Sequence, residues 1–163
     1  MVEHIITVES DLEDLQDEEL FAMLSDTVTT ALTLEGVELP CEINILLTDD
    51  EGIQGVNQQM RGIDAPTDVL SFPMFDLAPG EHPTEEDCDP GTDTVPLGDM
   101  CISVERAQAQ ANEFGHCMAR EINYLCVHSV LHLLGYDHLD EGEQKKLMRE
   151  HEERVMKVLD LTR

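Results

Sequence analysis

The sequence predicts an α/β (α+β) fold, a small mixed β-sheet of about four strands covered by about five helices, with one buried helix at the centre. Three observations predict it. Runs that alternate apolar and polar residues are interleaved with runs at helical spacing. Residues 118–134 are apolar on nearly every helical face, so that helix belongs inside the molecule. The length of 163 residues, with 41% hydrophobic and 28% charged, suits one domain with a buried core, spanning residues 1–163.

Residues 3–8 are rich in β-branched types and read as the first strand. Residues 17–34 place Leu20, Phe21, Leu24, Val28, Ala31 and Leu32 at helical spacing. Cys41, Ile43, Ile45 and Leu47 alternate with residues facing the other way, which makes a second strand. Thr48 and Glu51 form a Thr-x-x-Glu capping box that predicts a helix through about Met60. Residues 68–72 read as a strand, and Pro73 puts it at or near a sheet edge. Residues 76–96 hold four prolines and six acids among residues 81–93, and read as a solvated, mobile loop too polar to pack well, rather than a lid. Residues 100–103 form a short strand that runs into a helix rich in Ala and Gln. The last helix starts near Asp140, whose Asp-x-x-Glu spacing to Glu143 can cap it.

Acids outnumber bases 36 to 9, a formal charge of -27. Such a chain is not held on nucleic acid or anionic lipid by its overall charge, so contact with a polyanion must come from a local site. Residues 139–163 hold six of the nine bases, which leaves Arg61, Arg106 and Arg120 to be followed individually. The chain opens with no secretory pattern, and no apolar run reaches the roughly 20 residues that span a bilayer, so no membrane partner is expected. The five cysteines, Cys41, Cys88, Cys101, Cys117 and Cys126, are odd in number and contain no Cys-x-x-Cys pair. Reduced thiols and a cytoplasmic location follow as the expectation.

The informative segment runs from His128 to His138. His128 and His132 stand four residues apart, about 40° around a helix and one turn along it, so both imidazoles reach one point. Gly135 can end the helix in the left-handed conformation, and His138 can then swing back as a third nitrogen. Three neutral imidazoles suit one zinc ion, with the fourth position left open as in catalytic sites. Cys126 lies about 200° around the helix from His128 and reads as core. His4, His82, His116 and His151 read as ordinary surface or core histidines. The spacing His-x3-His-x2-Gly-x2-His is shared with metzincin proteases, but Ser129 stands where those enzymes place the glutamate base. A hydroxyl cannot take a proton near neutral pH as a carboxylate does.

The sequence resembles the YbeY family of metal-dependent endoribonucleases. Two blocks carry the likeness, Arg61-Gly62-Ile63-Asp64-Ala65-Pro66-Thr67-Asp68-Val69-Leu70-Ser71-Phe72-Pro73 and the segment from His128 to His138. Leu97-Gly98-Asp99 followed by Cys101-Ile102-Ser103 adds a third. The resemblance implies a zinc site at His128, His132 and His138 on the central helix and the turn after it. It also implies cleavage of single-stranded RNA, maturation of the 3′ end of small-subunit rRNA, ribosome quality control, and association with the small ribosomal subunit. Arg61 matches the family arginine linked to activity, and Ser129 occupies a position that is usually glycine.

The chemistry stands beside the name. A divalent metal polarises a phosphoryl oxygen, and a guanidinium can hold two non-bridging oxygens in a fork, so Arg61 and His128 are the expected catalytic residues. Asp64 or Asp68 could instead engage Arg61 in a structural ion pair. Asp68 and Asp137 are expected to be structural or to accept from a ligand imidazole, and Ser71 to serve strand packing. Unscreened acids repel phosphate over about 8–10 Å, so acids are expected to avoid the cleft that holds Arg61 and the metal. The competing readings are a ribosome assembly factor with a non-catalytic zinc and another zinc hydrolase such as a peptidase.

Overall fold

In a computed structural model describing residues 2–136 and 142–159, four strands and five helices alternate along the chain. The elements are β1 (Ile5–Ser10), α1 (Glu18–Leu34), β2 (Cys41–Thr48), α2 (Asp50–Arg61), β3 (Val69–Pro73), β4 (Val95–Ser103), α3 (Val104–Phe114), α4 (Met118–Leu133) and α5 (Glu143–Val158). The sheet order is β1-β2-β4-β3, with β1, β2 and β4 parallel and β3 antiparallel to β4. The α/β architecture expected from the sequence is the one observed, and β3, which ends in Pro73, lies at a sheet edge.

Alternation in β2 sends Cys41, Ile43, Ile45 and Leu47 into the main core, where they meet Leu24, Val28 and Leu32 of α1 and Ile122, Val127 and Leu131 of α4. Each such aliphatic side chain contributes about 1.5–3 kcal/mol on burial. A smaller core of Ile53, Leu70 and Cys101 lies under α2. At the β1–β2 junction, His4 Nδ1 accepts from the Cys41 N–H at 2.9 Å. α4 is the central helix, touching α1, α3, α5, β3 and β4. Among the described residues no helix is long and apolar enough to cross a membrane.

The starts of α2 and β4 differ from the sequence expectation. α2 is capped by Asp49, whose Oδ1 accepts from the Gly52 N–H at 2.8 Å. Thr48 ends β2 and donates its hydroxyl to Asp11 instead, at 3.0 Å, because it is nearly buried beneath that contact. β4 begins at Val95 rather than Met100, as Val95, Leu97 and Gly98 are buried in the middle of the sheet. The tract at 76–96 therefore gives its last two residues to β4. It also packs better than its polarity suggested, with a 3-10 turn at Glu85–Asp87, a bridge between Asp89 and Thr94, and Pro83 buried. Asp140 lies outside the described residues, and Gly142 immediately precedes α5.

Candidate active site

The burial of α4 fixes the direction of its two histidines. Ile122, Leu125, Cys126, Val127, Val130 and Leu131 anchor the helix, and His128 and His132 emerge from it partly exposed. Their Nε2 atoms stand 3.1 Å apart, with the rings edge to face at 4.6 Å between centroids. Two nitrogens each about 2.0–2.1 Å from one tetrahedral ion would lie about 3.3 Å apart, so the pair fits two corners of such a centre. His138 lies outside the described residues. Gly135 ends the helix at φ +98°, and a Cβ there would meet the Leu77 carbonyl oxygen at 2.0 Å, so only glycine fits.

The other nitrogen of His128 has its own partner. Nδ1 hydrogen-bonds Glu152 Oε2 from α5, and Glu152 Oε1 accepts from the Tyr124 hydroxyl at 2.8 Å. Glu152 is 4% exposed and forms no ion pair with Lys or Arg among the described residues. Such a carboxylate keeps the Nδ1 proton in place and turns the Nε2 lone pair outward, toward His132. Sequence reasoning expected Asp68 and Asp137 to be structural or to accept from a ligand imidazole, and it missed Glu152; Asp137 lies outside the described residues. A signal was present, because Met148, Glu152, Val155 and Met156 form the buried stripe of α5 and one of them is charged.

The histidines open on a cleft of about 610 Å³ whose lining includes Arg61, Asp68, Ser71, Asp76 and Tyr136. Arg61 closes α2, is exposed, and makes no ion pair among the described residues. Neither aspartate suspected of engaging it does so. Asp64 accepts from Gln54 at 2.9 Å, and Asp68 accepts from the Val69 N–H at 2.8 Å and from Gln110 at 3.2 Å. Asp68 is thus a structural group that fixes the start of β3. The expectation that acids avoid the cleft is corrected, since Asp68 and Asp76 both line it; Asp68 is held there by its backbone contact and Asp76 follows β3 into the solvent.

Ser129 is fully buried and shares a 2.6 Å hydrogen bond with Ser71 of β3, so its hydroxyl joins helix to strand. Burial pushes the Cys126 thiol up to about 12, as suits a core residue. His116 pairs with Glu121 and His151 with Glu35, each at 2.7 Å, so both are engaged in structural contacts. Tyr136 follows Gly135 on the cleft wall. Burial and its hydrogen bond to Glu35 raise its phenol well above the ordinary range.

Known proteins share this arrangement of elements. The solution structure of TM1509 from Thermotoga maritima superposes with a TM-score of 0.59 at 25% identity, over 96% of this chain and 92% of that one. An endoribonuclease YbeY from Pelotomaculum thermopropionicum is 46% identical over 147 residues, covering 90% of this chain and 91% of the relative. One from Caldicellulosiruptor saccharolyticus is 45% identical over the same length and shares. The sequence profile described as endoribonuclease YbeY matches residues 5–160, which takes in the arginine block, the histidine helix and Glu152 together. Likeness on that scale spans both the fold and the cleft, and the chain belongs to the endoribonuclease YbeY family.

Proposed function

We propose that this chain is a zinc-dependent, single-strand-specific endoribonuclease of the cytoplasm. In this reading it matures the 3′ end of small-subunit rRNA, works in ribosome quality control, and acts on or near the small ribosomal subunit. The observation that carries the reading is the pair of Nε2 atoms 3.1 Å apart, opening on the cleft that Arg61 lines.

His128 and His132 would hold the metal, with His138 as the third ligand expected from the sequence. When bound, a divalent ion polarises a phosphoryl oxygen and offsets the negative charge that gathers there. Glu152 orients His128 by keeping the proton on Nδ1, and Tyr124 fixes Glu152 in turn. Arg61, outside any ion pair among the described residues and at the end of its helix, grips the non-bridging oxygens of the phosphodiester through its forked N–H groups. Ser71 and Tyr136 shape the wall on which the substrate lies. A peptidase would need a base beside His128, and the hydroxyl of Ser129 is engaged with Ser71.

Cleavage of single-stranded RNA by wild type, His132→Ala and Arg61→Glu tests the proposal. Both variants are expected to lose cleavage while remaining folded. Cleavage that survives unchanged in both would assign the activity to a contaminant.

A further inference from the structure

Away from the cleft, the bases of this acidic chain gather on one helix. α5 carries Lys145, Lys146, Arg149, Arg154 and Lys157, five of the nine. Arg154 is taken up by Glu35 at 2.9 Å, and Arg106 of α3 by Asp50 at 3.4 Å. Lys145, Lys146, Arg149 and Lys157 are exposed and make no ion pair among the described residues. The helix also carries Glu143, Glu150 and Glu153 on its exposed surface, while Glu152 is buried against His128.

Two grooves adjoin at Arg149. The smaller, about 280 Å³, runs between Gly142, Lys145 and Lys146. In the larger, about 700 Å³, Arg149 and Lys157 face Phe114 and Tyr124, with Glu153 and Met156 also on the wall. Phe114 is a large apolar side chain left 54% exposed. Glu152 lines this groove and bonds His128, which lines the cleft, so the groove and the cleft share the His128–Glu152 pair as a wall. The chain also tethers the start of α5 to the cleft wall at Tyr136. Gly142 follows Tyr136 by six residues, a reach of roughly 20 Å at full extension.

We propose that the exposed face of α5, with Phe114 and Tyr124, is the track on which single-stranded RNA lies beyond the bond being cut. Its phosphates would rest on Lys145, Lys146, Arg149 and Lys157, and an unstacked base on Phe114. The inference rests on the endoribonuclease reading above. A polyanion approaching this protein is repelled over most of its surface. Among the described residues, Arg61 and α5 carry exposed positive charge outside any ion pair, which can draw it in at distances below about a Debye length. An exposed aromatic beside those bases favours a single strand, because a duplex keeps its base faces stacked.

The test compares full-length wild type with the triple variant Lys145→Glu, Lys146→Glu, Arg149→Glu and with Phe114→Ala, using a long single-stranded RNA, the same RNA shortened stepwise, and a duplex of equal length. The triple variant is expected to raise KM for the long RNA at least tenfold, with kcat little changed, and the effect should shrink as the RNA is shortened. The slope of log affinity against log salt should flatten by about 0.7 for each phosphate that no longer meets a base, and by about 2 for three. Phe114→Ala should weaken binding of the single strand and leave the duplex unaffected. A folded triple variant with wild-type KM and salt slope overturns the track and leaves the endoribonuclease reading standing. Wild type that fails to cleave any single-stranded RNA removes that reading and the track with it. Equal weakening on duplex and single strand, with Phe114→Ala silent, refutes the assignment to single strands.

Discussion

At the scale of single residues, function turns on which side chain holds which. Glu152→Ala should leave His128 without its Nδ1 partner and lower metal affinity about 10–100-fold, measured by competition with a chelator. Glu152→Gln, which still offers an oxygen to the imidazole, should recover most of that affinity; if the alanine variant binds metal as wild type does, the positioning role is wrong. Arg61→Ala should lower kcat about 10²–10³-fold, the cost of removing a preorganised charge partner. Its melting temperature should not change, because Arg61 makes no ion pair among the described residues. The His128–His132 pair is legible in the sequence because helix geometry alone dictates that residues four apart share a face. Arg61 is legible only by resemblance, since α2 and α4 meet the cleft through tertiary packing that no local pattern encodes. Glu152 shows in the sequence only as a charge within the apolar stripe of α5; that it reaches His128, 24 positions earlier on another helix, is again set by tertiary packing.

Among elements, the end of α4 is the most constrained. Gly135→Ala places a Cβ against the Leu77 carbonyl at a left-handed φ, and should cost roughly 2–4 kcal/mol, read as a lower midpoint in denaturant. A second element-level prediction concerns the β1–β2 junction. Burial lowers the His4 pKa from 6.5, and its Nδ1 accepts a backbone N–H only when deprotonated. The unfolded chain therefore takes up this proton first as pH falls. The contribution of His4 is complete above about 6.5 and is lost as pH drops from there toward the folded pKa. His4→Gln keeps an acceptor without titrating, so its stability should fall less steeply than wild type between about pH 7 and pH 5.5, as followed by urea denaturation. Identical slopes would contradict this. The strands and helices are readable from periodicity, whereas their ends are decided by single contacts. Asp49 displaces Thr48 as the cap of α2 because Asp11 already holds Thr48. The first half of β4 carries Pro96, Gly98 and Asp99, a composition that reads as loop until the neighbouring strands bury it.

For the whole molecule, charge decides the response to salt. With a net charge of -27, self-repulsion weakens the folded state, so added salt should raise the melting temperature. The same salt should weaken RNA binding, because phosphate contacts release counterions. Opposite signs in the two measurements are expected, and a protein that binds RNA more tightly as salt rises would not fit. The acidity is plain in the sequence, but the places left for a polyanion are not, since they depend on which arginines are already paired. The central claim is that His128, His132 and His138 together hold one divalent ion beside Arg61. Its most direct test is metal content, measured on protein purified without added metal and compared with the variant in which all three histidines are alanine. Close to one equivalent of zinc is expected in wild type and almost none in the variant. Equal metal in both, or RNA cleavage at full rate by metal-free protein, would contradict that claim.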